Sequence, residues 1–239
     1  MSLNYQPCSQ LRVVSDNKKK LYEESIIKKC EKCSVNGITG CDKCVLSFKL
    51  INRYCGGNIP IDFINRSISG FSGDPKLIKL YNTLTEDLAK TYESGDSLLL
   101  LGSHGVGKTF FSCMILKRVL EKGYSGLYTT LSDVVEVLLH ADYTSKSNAN
   151  RELKMIDFLV IDEFDARYVN TENSGVLFGR ILEQILRIRL QNYMPTILIT
   201  NNPDPTKSLG EALGASITSL INGYMKKIPV VGKDFRTVK

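Results

Sequence analysis

Leu98-Leu99-Leu100-Leu101-Gly102-Ser103-His104-Gly105-Val106-Gly107-Lys108-Thr109-Phe110 is the stretch on which the fold turns. Ser97 to Leu101 is a short apolar run closed by glycine, which predicts a buried strand, and Phe110 to Leu120 predicts a helix. Between them, Gly102 to Thr109 matches G-x-x-x-x-G-K-[ST], in the strand-to-helix setting that this pattern needs. The glycines let the loop curl until backbone N–H groups point inward at phosphate oxygens, and the helix N-terminus adds partial positive charge. Lys108 would neutralise the β- and γ-phosphates, and the Thr109 hydroxyl would ligate Mg²⁺. The residues expected around a bound nucleoside triphosphate are Gly102, Ser103, His104, Gly105, Val106, Gly107, Lys108, Thr109 and Phe110.

Further along the chain, strands and helices alternate. Gly126 to Thr130 predicts a second strand, followed by a helix capped by Ser132. Phe158 to Ile161 predicts a third strand, Val176 to Leu190 a helix, and Pro195 to Thr200 a fourth strand. Ahead of the loop, Asp74 and Pro75 open an apolar stripe through Leu77, Leu80, Tyr81, Leu84, Leu88 and Tyr92, which predicts one helix ended by Glu93-Ser94-Gly95. This alternation implies an α/β fold: a P-loop NTPase with a parallel sheet flanked by helices.

The third strand runs directly into Asp162-Glu163. A carboxylate at the carboxyl end of a buried strand beside the phosphate loop can hold Mg²⁺ through water, and a second carboxylate next to it can polarise an attacking water. Asp162 is therefore assigned to the metal and Glu163 to the water as general base. The spacing from Lys108, with one extra strand and helix between, is that of ATPases whose glutamate activates water. The fourth strand ends at Asn201-Asn202-Pro203, where either asparagine could orient the same water and sense the γ-phosphate.

The chain has 239 residues, 43% hydrophobic and 23% charged, enough for one full domain and a small appendage. With no apolar run near the length of a membrane span and no signal-peptide pattern at the start, a soluble cytoplasmic protein is expected. The net charge of +6 is concentrated at the front, where residues 1–55 carry ten Lys or Arg against five Asp or Glu. Such a front end could meet nucleic acid or an acidic protein surface. In that region Cys30, Cys33, Cys41 and Cys44 form C-x2-C-x7-C-x2-C. Each pair can present two thiolates to one ion, with Gly37 and Gly40 letting the pairs face each other around a tetrahedral Zn²⁺; Lys29, Lys32 and Lys43 offset the thiolate charge. Cys55 is a substitute ligand, Cys113 a buried small hydrophobe, and Cys8 an ordinary thiol. The turn-rich Gly56-Gly57-Asn58-Ile59-Pro60 suggests a boundary, giving a zinc-binding, partner-docking unit at 1–60 and an ATPase domain at 61–239.

Ile59 to Phe63, Leu98 to Thr109, Asp157 to Glu163, Arg189 ahead of Pro195 to Asn202, and Gly232-Lys-Asp-Phe-Arg236 together resemble the DnaC/DnaI-type helicase loaders. IstB-type transposition ATPases share that order. The resemblance covers roughly residues 59–239 and implies an AAA+ fold of the ASCE type. It further implies an ATPase that docks on a DnaB-type replicative ring helicase and helps to place it on single-stranded DNA. Arg236 matches the sensor-2 arginine of that family. Leu220, in Ser216-Ile-Thr-Ser-Leu-Ile221, stands where the family carries its arginine finger. A finger contributes roughly 10³–10⁵ in rate, so slow hydrolysis is expected unless Arg189, Lys226 or a partner substitutes. Self-assembly is left open. The alternatives are an ATPase partner of a transposase and, less favoured, a P-loop nucleotide kinase, which would need a substrate lid and no water-activating Glu163.

Overall fold

The computed structural model describes residues 11, 16–31, 33, 41–165, 175–202 and 215–235. Among the described residues, five parallel strands form one sheet: β1 (Leu98–Leu101), β2 (Gly126–Thr130), β3 (Phe158–Asp162), β4 (Thr196–Thr200) and β5 (Lys226–Pro229), in the order β2-β3-β4-β1-β5. Alternate side chains leave the sheet on opposite sides, which explains why the central strands are apolar throughout. Leu98, Leu100, Phe158, Val160, Ile197 and Ile199 enter one core cluster, whereas Leu99, Leu159, Ile161 and Leu198 enter the other.

The helices divide between the two faces. In chain order they are α1 (Asp16–Lys29), α2 (Asp42–Gly56), α3 (Ile61–Ile64), α4 (Pro75–Glu86), α5 (Leu88–Ser94), α6 (Lys108–Glu121), α7 (Leu131–His140), α8 (Tyr143–Met155), α9 (Gly175–Gln191) and α10 (Ala215–Tyr224). Residues of α2, α4 and α6 share the first cluster, and residues of α7 to α10 share the second. The first cluster crosses residue 60, because Ile51, Tyr54 and Ile59 pack with Leu98 and Phe111. The docking of α2 on α6 is also polar: Arg53 donates to Leu120 O at 3.2 Å, and the Tyr54 hydroxyl donates to Glu121.

Four elements differ from the sequence expectations. The stripe expected as one helix from Asp74 to Ser94 is two, because Asp87 leaves helical geometry (φ −126°, ψ 86°) and its side chain caps α5 by accepting from Lys90 N. The cap of α7 is Thr130 rather than Ser132, in a reciprocal box with Asp133; that box satisfies two N-terminal groups at once. Helix α8 was hidden by its polarity, since only Ala149, Glu152 and Leu153 on it are buried. Strand β5, Lys-Lys-Ile-Pro, shows no apolar run because it is the exposed outer strand and pairs with β1 through its backbone. Lysine and proline also suit an edge that must not recruit another strand.

Candidate functional site

The loop after β1 has the backbone its glycines predict. Gly105 and Gly107 lie at φ +75° and +98°, in the left-handed region, where a side chain is strained. A Cβ at Gly105 would fall 1.8 Å from Asp234 Oδ1, and one at Gly107 would fall 2.5 Å from the Phe71 ring. At both positions the backbone strains any side chain, and Asp234 or Phe71 would have to move to admit one. No side chain caps the N-terminus of helix α6, and a helix start of this kind can take an anion.

Three strand ends then deliver side chains to the same place. Lys108 is only 5% exposed; its Nζ donates to Gly102 O at 2.8 Å, Ser103 O at 2.7 Å and Asn201 Oδ1 at 2.8 Å. Asp162, at the end of β3, is buried, and its Oδ2 accepts from Thr109 Oγ1 at 2.7 Å and from the Tyr128 hydroxyl at 3.0 Å. Its Oδ1 accepts from Glu163 N at 2.7 Å. Glu163 is exposed and sits at φ +53°, a costly conformation for a residue with a side chain. The chain returns at once to the sheet, with Phe164 N donating to Ile199 O at 2.7 Å. Glu163 is thus a single strained residue between two anchored ones.

These groups border a cleft of about 850 Å³. Of the residues expected around the nucleotide, the structure brings His104, Gly105, Gly107, Lys108, Thr109, Phe110, Asp162, Glu163 and Asn201 to its wall. Gly102 and Ser103 contribute instead through their carbonyls to Lys108. Val106 turns into the core, 1% exposed. Of the two asparagines, Asn201 reaches Lys108; Asn202 is not part of the cleft wall, and its N–H donates to Thr200 Oγ1. Arg236 lies outside the described residues.

An aromatic wall that no motif announced closes one side. Phe71 stacks on Phe110 (centroids 5.4 Å, planes 11° apart), Phe63 meets Phe110 edge-on at 5.8 Å, and Phe235 lies 5.9 Å from Phe71. These rings come from four separate segments, so no spacing rule could have grouped them. Lys117, on α6, holds the segment that supplies Phe63: its Nζ donates to Ile64 O at 2.7 Å and Arg66 O at 2.6 Å. Burial lowers the pKa of that ammonium.

One expectation about arginine needs correction. Arg189 is fully buried and bonds Leu153 O, Ile156 O, Pro195 O and Thr196 Oγ1 at 2.7–3.1 Å. Burial draws its pKa down to about 9, and it cannot reach a neighbouring molecule's nucleotide. Leu220 points into the core with Ile217 and Ile221, 5% exposed, so its position on α10 is not a surface from which a finger could extend. Lys226 is exposed on β5.

The four expected cysteines converge. Their sulfurs lie within 4.8 Å of one another, with Cys30–Cys41 at 3.8 Å, Cys33–Cys44 at 3.7 Å and Cys41–Cys44 at 3.8 Å. Tetrahedral coordination with bonds of about 2.3 Å requires sulfur–sulfur edges of about 3.8 Å, so the cluster has the size of a tetrahedral four-thiolate site. A hydrogen bond from the Cys44 backbone is the main influence that draws the Cys41 thiol down to about 6. Cys55 is outside the cluster and packs near the first core, and Cys113 is fully buried beside it. Lys43 is exposed; Cys8, Lys32, Gly37 and Gly40 lie outside the described residues.

The chain is similar to known proteins. Replicative helicase loader DnaC of Escherichia coli K12 is 29% identical over 150 residues, covering 58% of this chain and 59% of its own length. An ATP-binding protein of insertion sequence IS1162 from Pseudomonas fluorescens is 37% identical over 90 residues, 34% of this chain and 38% of its own. The chain thus matches less than two thirds of either relative. The crystal structure of DnaI superposes with a TM-score of 0.60 over 74% of this chain and 93% of that one, at 21% identity, which speaks for the fold alone. The IstB-like ATP binding protein family matches residues 74–203, more than half the chain, from the helix before the phosphate loop to the asparagines after β4, and this protein belongs to that family.

Proposed function

We propose that this protein binds ATP with Mg²⁺ and hydrolyses it, and that it uses this cycle to place a replicative ring helicase on single-stranded DNA. The observation that carries the ATPase reading is the convergence of Lys108, Thr109, Asp162, Glu163 and Asn201 on one cleft. Lys108 Nζ is held by neutral oxygens that phosphate oxygens can replace. Thr109 and Asp162 offer hydroxyl and carboxylate oxygens, the hard donors that Mg²⁺ takes; the bound ion would neutralise charge on the β- and γ-phosphates. Glu163 accepts the proton of a water as its oxygen attacks the γ-phosphorus, and the charge released on the ADP oxygen falls beside Lys108. Asn201 orients the Lys108 ammonium and the water. With leucine rather than arginine at position 220 and Arg189 enclosed, hydrolysis by the isolated chain is slow.

Helicase loading draws its support from the DnaC relative and from the four-cysteine unit, which we assign to structural Zn²⁺ and, with residues 1–60, to partner docking. Among the described residues no helix is long and apolar enough to cross a membrane. The insertion-sequence relative favours a second reading, an ATPase partner of a transposase. Pull-down with a DnaB-type helicase and with a transposase, each with and without ATP, separates the two; ATP-dependent retention of the transposase alone would overturn helicase loading. The purified chain should release inorganic phosphate from ATP only with Mg²⁺ present. Metal analysis should find about one Zn²⁺ per chain, lost in Cys33→Ser; a chain with no bound metal would refute the zinc assignment.

A further inference from the structure

Strand β2 forms the sheet edge next to β3, and Tyr128 is its middle residue. Its ring packs against the core on the α6 side, and its hydroxyl crosses to Asp162 Oδ2 at 3.0 Å while lining the cleft. Three donors thus meet the Asp162 carboxylate: Thr109 Oγ1, Glu163 N and Tyr128. Thr109 is itself a candidate metal ligand, and its hydroxyl must turn a lone pair towards the ion when one binds. Glu163 N belongs to the adjoining residue and moves with Asp162. Tyr128 alone of the three comes from another strand and has no part in the reacting groups.

Its backbone is also secured from outside the sheet. Tyr128 N donates to Gly57 O at 2.9 Å, and Tyr128 O accepts from Asn58 Nδ2 at 2.9 Å. Asn58 Nδ2 donates further to Leu11 O at 3.1 Å.

We infer that Tyr128 is a positioning residue for Mg²⁺ binding: its hydroxyl fixes the rotation of the Asp162 carboxylate, so that one oxygen stays aimed at the ion when Thr109 lets go. This rests on the assignment of Asp162 to Mg²⁺ made above. Outer partners of metal-binding carboxylates typically alter metal affinity by 10–100-fold, and the intact Thr109 and Glu163 contacts put the expectation at the low end.

The test is Tyr128→Phe in the full chain, which removes one oxygen and keeps the packed ring. The half-saturating Mg²⁺ concentration for ATP hydrolysis should rise about tenfold. Affinity for a fluorescent ATP analogue in EDTA should stay within about twofold of the parent value, since Lys108 and the loop are untouched. Asp162→Asn serves as the control, and Tyr128→Phe added to it should shift Mg²⁺ dependence no further. If Asp162→Asn shifts the Mg²⁺ dependence and Tyr128→Phe only lowers the thermal midpoint, Tyr128 is structural and the inference fails while the metal assignment stands. If Asp162→Asn leaves the Mg²⁺ dependence unmoved, both fail.

Discussion

Lys108 and Arg189 are both nearly buried cations bonded to backbone carbonyls, and they sit at opposite ends of the sheet, with β4 common to both. Arg189 joins the entries to β3 and β4, through Ile156 O, Pro195 O and Thr196 Oγ1. Lys108 joins the exits of β1 and β4, through Gly102 O, Ser103 O and Asn201 Oδ1. At the entry end the guanidinium is fully enclosed, so its partners are permanent and its charge serves folding. At the exit end the ammonium borders a cleft, and its partners can be exchanged for those of a ligand. A parallel sheet produces this asymmetry, because its crevices open at the carboxyl ends of the strands. A buried charge becomes functional where its acceptors can be replaced.

The largest test of that contrast is Glu163→Gln at the exit end. It should lower turnover by about 10²–10⁴, the range for a positioned general base, while ATP still binds; steady-state hydrolysis beside nucleotide titration checks this. Next, Arg189→Leu should cost about 3 kcal/mol or more, because several buried carbonyls lose their donor. That corresponds to a thermal midpoint lower by roughly 6–12 °C in a chain of this size, and the fraction that remains folded should keep its KM for ATP. A fall in catalysis without a fall in stability would show that the entry end also serves the reaction. The smallest effect is expected for Asn201→Ala. Lys108 keeps two carbonyl partners, so hydrolysis should fall about tenfold, equivalent to about 1.4 kcal/mol, with a change in midpoint too small to matter.

What was legible depended on whether an element's neighbours in space were also its neighbours in sequence. The glycine loop, Lys108, Thr109, Asp162 and Glu163 were legible because a single turn or strand end brings each set into place. The four-cysteine cluster was legible for the same reason, since its sulfurs come from two short pairs. Asn201 was legible only as one of two, and its choice over Asn202 depended on which side chain faces Lys108. Arg189 failed as a finger substitute because it carries no local mark of burial: its acceptors lie on the segments leading into β3 and β4, and a charged residue on a helix reads as surface. Strand β5 was missed because an edge strand need not be apolar.

The sequence by itself determined the chemistry: which residues can grip phosphate, which carboxylates lie beside them, and which thiols can meet a metal. Those properties belong to short motifs whose backbone conformation is set by the residues within them. Only the tertiary structure decided the setting: the four-ring wall, the hold of Tyr128 on Asp162, the attachment of α2 to α6, and the enclosure of Arg189 and Leu220. These join segments far apart in the chain, and packing, which chooses among such pairings, leaves no periodic trace in any one of them.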